Sequence, residues 1–247
     1  MNLIRSSLFI LAMFFITLAC FSILVLDKIF CLIRRKPHTT DRGHKVATLW
    51  GKSLLQIVPG WKIILEGKEN IPHSSEKPFI ITANHESATD ILALYYLNIQ
   101  FRWLAKIEAF KIPVVGTAMR WAGYIPIIRG KKESHTKALN KCRELLQNKT
   151  PVLFFPEGTR STIGKPKKFK VGAFLLAKEC QVPVVPIVLF GAGKLLRKHS
   201  ISPKAATVHI KILPAQNIKE SESVDEFCKR VESLIVSEHE KIAQINN

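Results

Sequence analysis

This sequence predicts an α/β fold: a mixed, largely parallel sheet covered by helices, preceded by an N-terminal membrane helix. Three observations predict it. From Trp61 onward, short apolar runs rich in β-branched residues alternate with helical patterns. A chain of 247 residues with 47% hydrophobic content can bury a full core in one domain of moderate size. The apolar excess is concentrated at the start, in an uncharged run of 21 residues, Ser6 to Leu26, long enough to cross a bilayer.

That first run is too long for the apolar region of a signal peptide, and it continues past Cys20 without a small-residue cleavage site, so a retained membrane helix is expected. Arg5 alone precedes it, whereas Lys28, Arg34, Arg35 and Lys36 follow it. This asymmetry places the rest of the chain on the cytoplasmic side of a cytoplasmic (inner) membrane, whether the helix spans or dips into one leaflet. Gly43 to Val58 then repeats apolar residues at helical spacing (Val46, Leu49, Trp50, Leu54, Ile57, Val58) and suits a partner of the first helix, an interfacial helix or an ordinary core helix. The expected division is 1–36 for the membrane helix and its basic flank, 37–60 for the amphipathic helix and 61–247 for the catalytic domain.

Seven strands are expected in WKIILEG, FIITA, FRWLAK, YIPIIR, PVLFF, VPVVPIVLF and TVHIKIL. Helices between them should cover Asp90 to Leu97, Glu108 to Trp121, Ser134 to Gln147 and Val171 to Cys180. A last amphipathic helix, Ser223 to Ile245, would turn Phe227, Val231, Leu234 and Ile235 inward. The two prolines of Val182 to Leu189 remove ladder donors and predict an edge strand or one bent past a cavity.

Composition excludes several classes. Five cysteines, at 20, 31, 142, 180 and 228, show neither C-x-x-C pairing nor histidines at zinc spacing, so no metal site is expected and no cofactor is called for. A net charge of +18 asks for an anionic partner. No helix-turn-helix, zinc-finger or RNP pattern accompanies it, so anionic lipid headgroups and phosphorylated substrates are favoured over nucleic acid.

The chemistry centres on Asn84 to Asp90, NHESATD, between two apolar runs. A histidine and an aspartate five apart lie about 140° apart on a helix and on opposite faces of a strand, so only a turn lets them meet. At a strand-to-helix corner, with Ser87, Thr89 and Asp90 as candidate caps, Asp90 can reach back to one ring nitrogen of His85. It would then fix the tautomer and stabilise the imidazolium. No G-x-S-x-G supplies a nucleophile, so the simplest reading is that the substrate brings its own hydroxyl for His85 to deprotonate. A membrane-bound hydrolase in which His85 activates water is a second reading, and an anionic lipid binder without catalysis, suggested by the net charge and the amphipathic helix, is a third.

Two more loops point the same way. Lys106 to Arg129 is punctuated by Pro113, Gly116 and Gly123, and Arg129 closes a strand. FPEGTRS, Phe155 to Ser161, leaves an apolar strand through a tight Pro156/Gly158 turn. It offers Glu157, Thr159 and Arg160, the arginine able to hold phosphate oxygens bidentately. Lys165, Lys167, Lys168 and Lys170 read as a solvated basic loop.

These four blocks in order resemble the glycerolipid acyltransferase family, most closely the 1-acyl-sn-glycerol-3-phosphate (lysophosphatidic acid) acyltransferases, over about residues 75 to 190. NHESATD is similar to the family's first block, NHx4D, and VPVVPIV to its fourth. The resemblance implies that His85 is the general base and Asp90 its orienting carboxylate. It also implies that Lys106, Arg129, Glu157, Gly158, Thr159 and Arg160 bind the acceptor's phosphate and glycerol. It further implies an acyl-CoA or acyl carrier protein donor and phosphatidic acid as product. The same chemistry on glycerol 3-phosphate or another lysophospholipid is the alternative. Ile128, Ala109 and Gln181 depart from the family's usual acidic residue, leucine and glycine.

Overall fold

The computed structural model describes residues 3–72, 77–161, 164–195 and 204–246. Two helices, α1 (Leu3–Ile33) and α2 (Thr40–Gln56), lead into β1 (Lys62–Glu66), β2 (Ile80–Ala83) and α3 (Asp90–Leu94). There follow β3 (Arg102–Lys106), α4 (Val115–Trp121), β4 (Ile125–Ile127), α5 (Lys132–Gln147), β5 (Val152–Phe154) and α6 (Gly172–Cys180). The chain closes with β6 (Val184–Phe190), α7 (Ala192–Leu195), β7 (Thr207–Ile212) and α8 (Val224–Ile245).

All seven expected strands join one sheet in the order β1-β7-β6-β2-β5-β3-β4. β6, β2, β5, β3 and β4 run parallel to their neighbours, β7 is antiparallel to β6, and β1 is parallel to β7. The mixed, largely parallel sheet is therefore as predicted. Strand alternation splits the core into two layers. Ile81, Leu153, Val185 and Ile187 face the layer of α3 and α4, while Ile80, Val152, Val184 and Val188 face that of α5, α6 and α8. Because β6, β2, β5, β3 and β4 share one direction, the loops after β2, β3, β4 and β5 all emerge at a single edge.

Four expectations change. The strand with two prolines is not at an edge: β6 is central and buried throughout. Val184 and Pro186 turn toward β7, their carbonyls accepting from Gln216 and Leu213, and the β6–β7 ladder begins only at Ile187. The prolyl nitrogen thus faces a place where no ladder partner is required. The helix over Glu108 to Trp121 is broken, because Pro113 follows a 3₁₀ turn (Ile107–Lys111) and α4 starts beyond it. Thr89, the residue before α3, makes no side-chain cap bond; its N–H donates to Ser87 Oγ (3.4 Å), and the Asp90 carboxylate binds the preceding loop. Leu234 is 36% exposed, while Phe227, Val231 and Ile235 are buried as expected behind a Ser223/Glu226 capping box. The departure at Gln181 has a local meaning: it takes the left-handed conformation (φ 53°) that ends α6, the position glycine ordinarily fills.

α1 is longer than its uncharged run, and among the described residues it is the helix long and apolar enough to cross a membrane, over Ser7–Ile33. Leu11, Phe14, Phe15 and Leu26 are exposed on it. Its other side lies on α2 and α4, where Trp50 Nε1 donates to Thr17 Oγ1 (2.9 Å) and Phe21 stacks on Trp121. α2 serves both partners at once. A Cβ on Gly43 would stand 2.6 Å from the Trp121 carbonyl oxygen, and one on Gly51 2.4 Å from the Tyr95 ring, so only glycine allows this approach. Under α2 lies a buried polar cluster. His44 Nδ1 meets Tyr124 Oη (3.1 Å), His44 Nε2 meets the Ile99 carbonyl (3.0 Å), and the Tyr95 and Tyr124 hydroxyls pair at 2.9 Å. Arg102 is fully buried and donates to Asp41 and Thr40 at the start of α2. Burial lowers the His44 imidazole to about 4, so it packs as a neutral ring.

Candidate active site

β2 ends at Ala83, and the chain turns at once. Asn84 fixes the turn against β6 with a two-way amide bridge, Nδ2 to the Leu189 carbonyl and Leu189 N–H to Oδ1, both 2.8 Å. His85 follows at the corner. Its N–H donates to Glu157 Oε1 (2.8 Å) and its carbonyl accepts from Ser161 N–H (2.7 Å), so both of its backbone groups are gripped by the FPEGTRS loop. Phe155, from the same loop, stacks on the imidazole with centroids 4.2 Å apart.

Asp90 opens α3 and is fully buried. Its Oδ2 lies 2.7 Å from His85 Nδ1 and also accepts the backbone N–H groups of Glu86 (2.7 Å) and Ser87 (2.9 Å). An oxygen already accepting two N–H bonds acts as an acceptor, which puts the ring proton on Nδ1 and the lone pair on Nε2. Burial pushes the Asp90 carboxyl upward, and the imidazole and the Ser87 N–H pull it back. The turn thus does what neither a helix nor a strand could, bringing the two side chains of NHx4D into contact.

The remaining expected residues divide by burial. Lys106, at the end of β3, is exposed and pairs with Glu108 at 3.2 Å. Arg129 follows β4, and Thr159 and Arg160 follow β5; all three are exposed at the edge that carries His85. Gly158 takes φ 71° in the turn, with the Lys170 ammonium lying where a Cβ would point. Glu157 differs from these. It is 4% exposed, and burial raises its carboxyl to about 7 against the pull of the His85 N–H and Lys167. Its carboxylate accepts the His85 N–H, whereas the resemblance groups it with the residues expected at the acceptor's phosphate and glycerol.

Two contacts were missed altogether. Phe155 was read as the end of a strand, yet it supplies the ring on which His85 rests. Glu86, inside the motif, contacts Gly191, Gly193 and His239, and a charged residue next to His85 between apolar runs is itself a signal.

The acyltransferase family model matches residues 62–190, more than half of the chain. The chain belongs to the acyltransferase family. A 1-acyl-sn-glycerol-3-phosphate acyltransferase of Chlamydomonas reinhardtii is 36% identical over 198 residues, covering 78% of this chain and 57% of that protein. A chloroplastic enzyme of the same name from Arabidopsis thaliana is 42% identical over 163 residues, covering 66% and 44%. The chain thus spans about half the length of these curated relatives. The crystal structure of the 1-acyl-sn-glycerophosphate (LPA) acyltransferase PlsC from Thermotoga maritima superposes with a TM-score of 0.78 at 29% identity, covering 98% of both chains.

Proposed function

We propose that this acyltransferase moves a fatty acyl chain from a thioester, acyl-CoA or acyl carrier protein, to the sn-2 hydroxyl of 1-acyl-sn-glycerol 3-phosphate, forming phosphatidic acid. One observation carries the reading. A histidine held by a buried aspartate stands at the sheet edge where Arg129, Arg160 and Lys106, the last beside Glu108, are exposed, and in this reading these cations meet the phosphate. His85 Nε2 takes the proton of the acceptor hydroxyl as its oxygen attacks the thioester carbonyl, and Asp90 stabilises the imidazolium that forms. The tetrahedral intermediate then expels the thiolate, which recovers the proton from His85. Gripping the phosphate converts the encounter of hydroxyl and base into a positioned, effectively intramolecular step. The strongly basic chain suits both acidic donors.

Glu157, buried beneath the base, holds the His85 backbone in this scheme and leaves phosphate binding to the cations. The helix at 1–36 anchors the protein with the 61–247 catalytic domain on the cytoplasmic side, and 37–60 joins the two. The experiment supplies radiolabelled acyl thioester and lysophosphatidic acid to wild type and to His85→Ala. Labelled phosphatidic acid from the wild type alone is expected. Free fatty acid released without any acceptor requirement would instead indicate a hydrolase, and preference for glycerol 3-phosphate in competition would change the acceptor.

A further inference from the structure

Glu86, the residue after the base, has a side chain that plays no part in the chemistry above, yet its surroundings are built with care. Its Oε2 accepts the backbone N–H groups of Gly191 (3.0 Å) and Gly193 (3.2 Å), where β6 turns into α7. Its Oε1 lies 3.0 Å from Nε2 of His239 on α8. The Glu86 side chain is 11% exposed and that of His239 2%. A carboxylate so enclosed needs every one of these donors, since a buried acceptor left unpaired costs far more than a hydrogen bond yields. The His239 ring is also edge-on to Phe190, centroids 5.3 Å apart, which fixes its plane. Gly191 has φ 94°, and a Cβ there would stand 2.3 Å from the Thr207 carbonyl oxygen, so the turn that presents its N–H is set by backbone packing.

The backbone of the same residue completes the link. Glu86 N–H donates to Asp90 Oδ2, the atom that orients the His85 imidazole. One residue thus joins the base–carboxylate pair through its main chain to the β6–α7 turn and α8 through its side chain.

We propose that Glu86 and His239 are a pair of positioning residues through which the C-terminal helix holds the catalytic base in register. This rests on the acyl-transfer reading of the site. α8 supplies no group to the reaction; it supplies the donor that keeps Glu86, and with it the 85–90 loop, from shifting. A displacement of about 1 Å at a reacting group can cost up to ~10²-fold in rate, and loss of one of several struts is expected to cost about tenfold.

The test measures kcat and the KM for lysophosphatidic acid in full-length wild type, His239→Leu, His239→Gln and Glu86→Gln, with thermal unfolding of each. His239→Leu and Glu86→Gln are expected to lower kcat about tenfold with KM within twofold of wild type. His239→Gln keeps an N–H donor at similar reach and should recover most of that loss. Wild-type kcat in His239→Leu, equal losses in the Leu and Gln variants at position 239, or an effect on KM alone would each overturn the proposal. Should His239→Leu fail to fold, Glu86→Gln against His239→Gln decides by the same criteria. A wild type that transfers no acyl group refutes the functional reading itself, a result distinct from an active wild type indifferent to these substitutions.

Discussion

The molecule holds two buried polar clusters at opposite ends of its parallel strands, and they are assembled in opposite ways. At the C-terminal end of β2, carboxyl groups are forced inside: Asp90 and Glu157 are both buried, and among the described residues Asp90 Oδ1 and Glu157 Oε2 have no hydrogen-bond partner. Under α2, by contrast, a neutral histidine and two tyrosines pair with one another, and the one charge, Arg102, donates to Thr40 and Asp41 although its Nε has no partner among the described residues. Burying an acidic oxygen without a partner costs stability, whereas a mostly neutral, paired cluster holds a helix in place. The two clusters should therefore answer differently to the same perturbations.

The largest contrast is in rate. His85→Ala should cut acyl transfer by about 10²–10⁴-fold, because general base catalysis contributes on that scale, while the unfolding midpoint moves little. Tyr124→Phe, in the other cluster, should leave kcat near wild type. The same pair of activity assays and melting curves checks both.

A second contrast is in pH. Glu157 is raised to about 7 from 4.5, so the folded state binds its proton more tightly than the unfolded chain, and stability falls as pH rises from 4.5 to 7. His44 is lowered to about 4 from 6.5, so the unfolded chain binds that proton more tightly, and stability rises with pH from 4 to 6.5. Each shift corresponds to at most about 3–4 kcal/mol, and the two slopes oppose each other in the wild type. Denaturant unfolding between pH 4 and 7.5 should show a clear rise with pH once Glu157→Gln removes the opposing slope. An unchanged profile in that variant would mean that Glu157 is not a buried acid.

Tyr124→Phe itself should cost about 1–3 kcal/mol, because His44 Nδ1 and the Tyr95 hydroxyl each lose a buried partner. The smallest effect on stability belongs to Lys106→Ala. Its pair with Glu108 is exposed, worth about 1 kcal/mol or less. The acceptor KM should nevertheless rise if this lysine meets the phosphate, and a KM that stays put would remove it from the site.

The difference between the clusters also explains what could be read in advance. The corner was legible because its residues are close in sequence and unusual for their setting: a histidine and an aspartate in a short polar gap between a strand pattern and a helix pattern. The seven strands were legible because most are short, apolar and bounded by turn residues. The cluster under α2 was not, since His44, Tyr95, Arg102 and Tyr124 are far apart in the chain and each reads locally as an ordinary helix or strand residue. Glu86 and His239 escaped for the same reason, meeting only across the finished fold. The central place of β6 was obscured because a proline's cost depends on which neighbour its nitrogen faces, and that is a property of the sheet.

The glycines of α2 have a practical corollary. Removing the oily first helix to obtain a freely soluble protein is an obvious step, but the cut belongs before Thr40. Shortening the chain to residue 61 would strip the lid from Tyr95, Phe101 and Tyr124 and leave Arg102 facing water. What remained would be an enzyme missing a wall, whatever detergent had been spared.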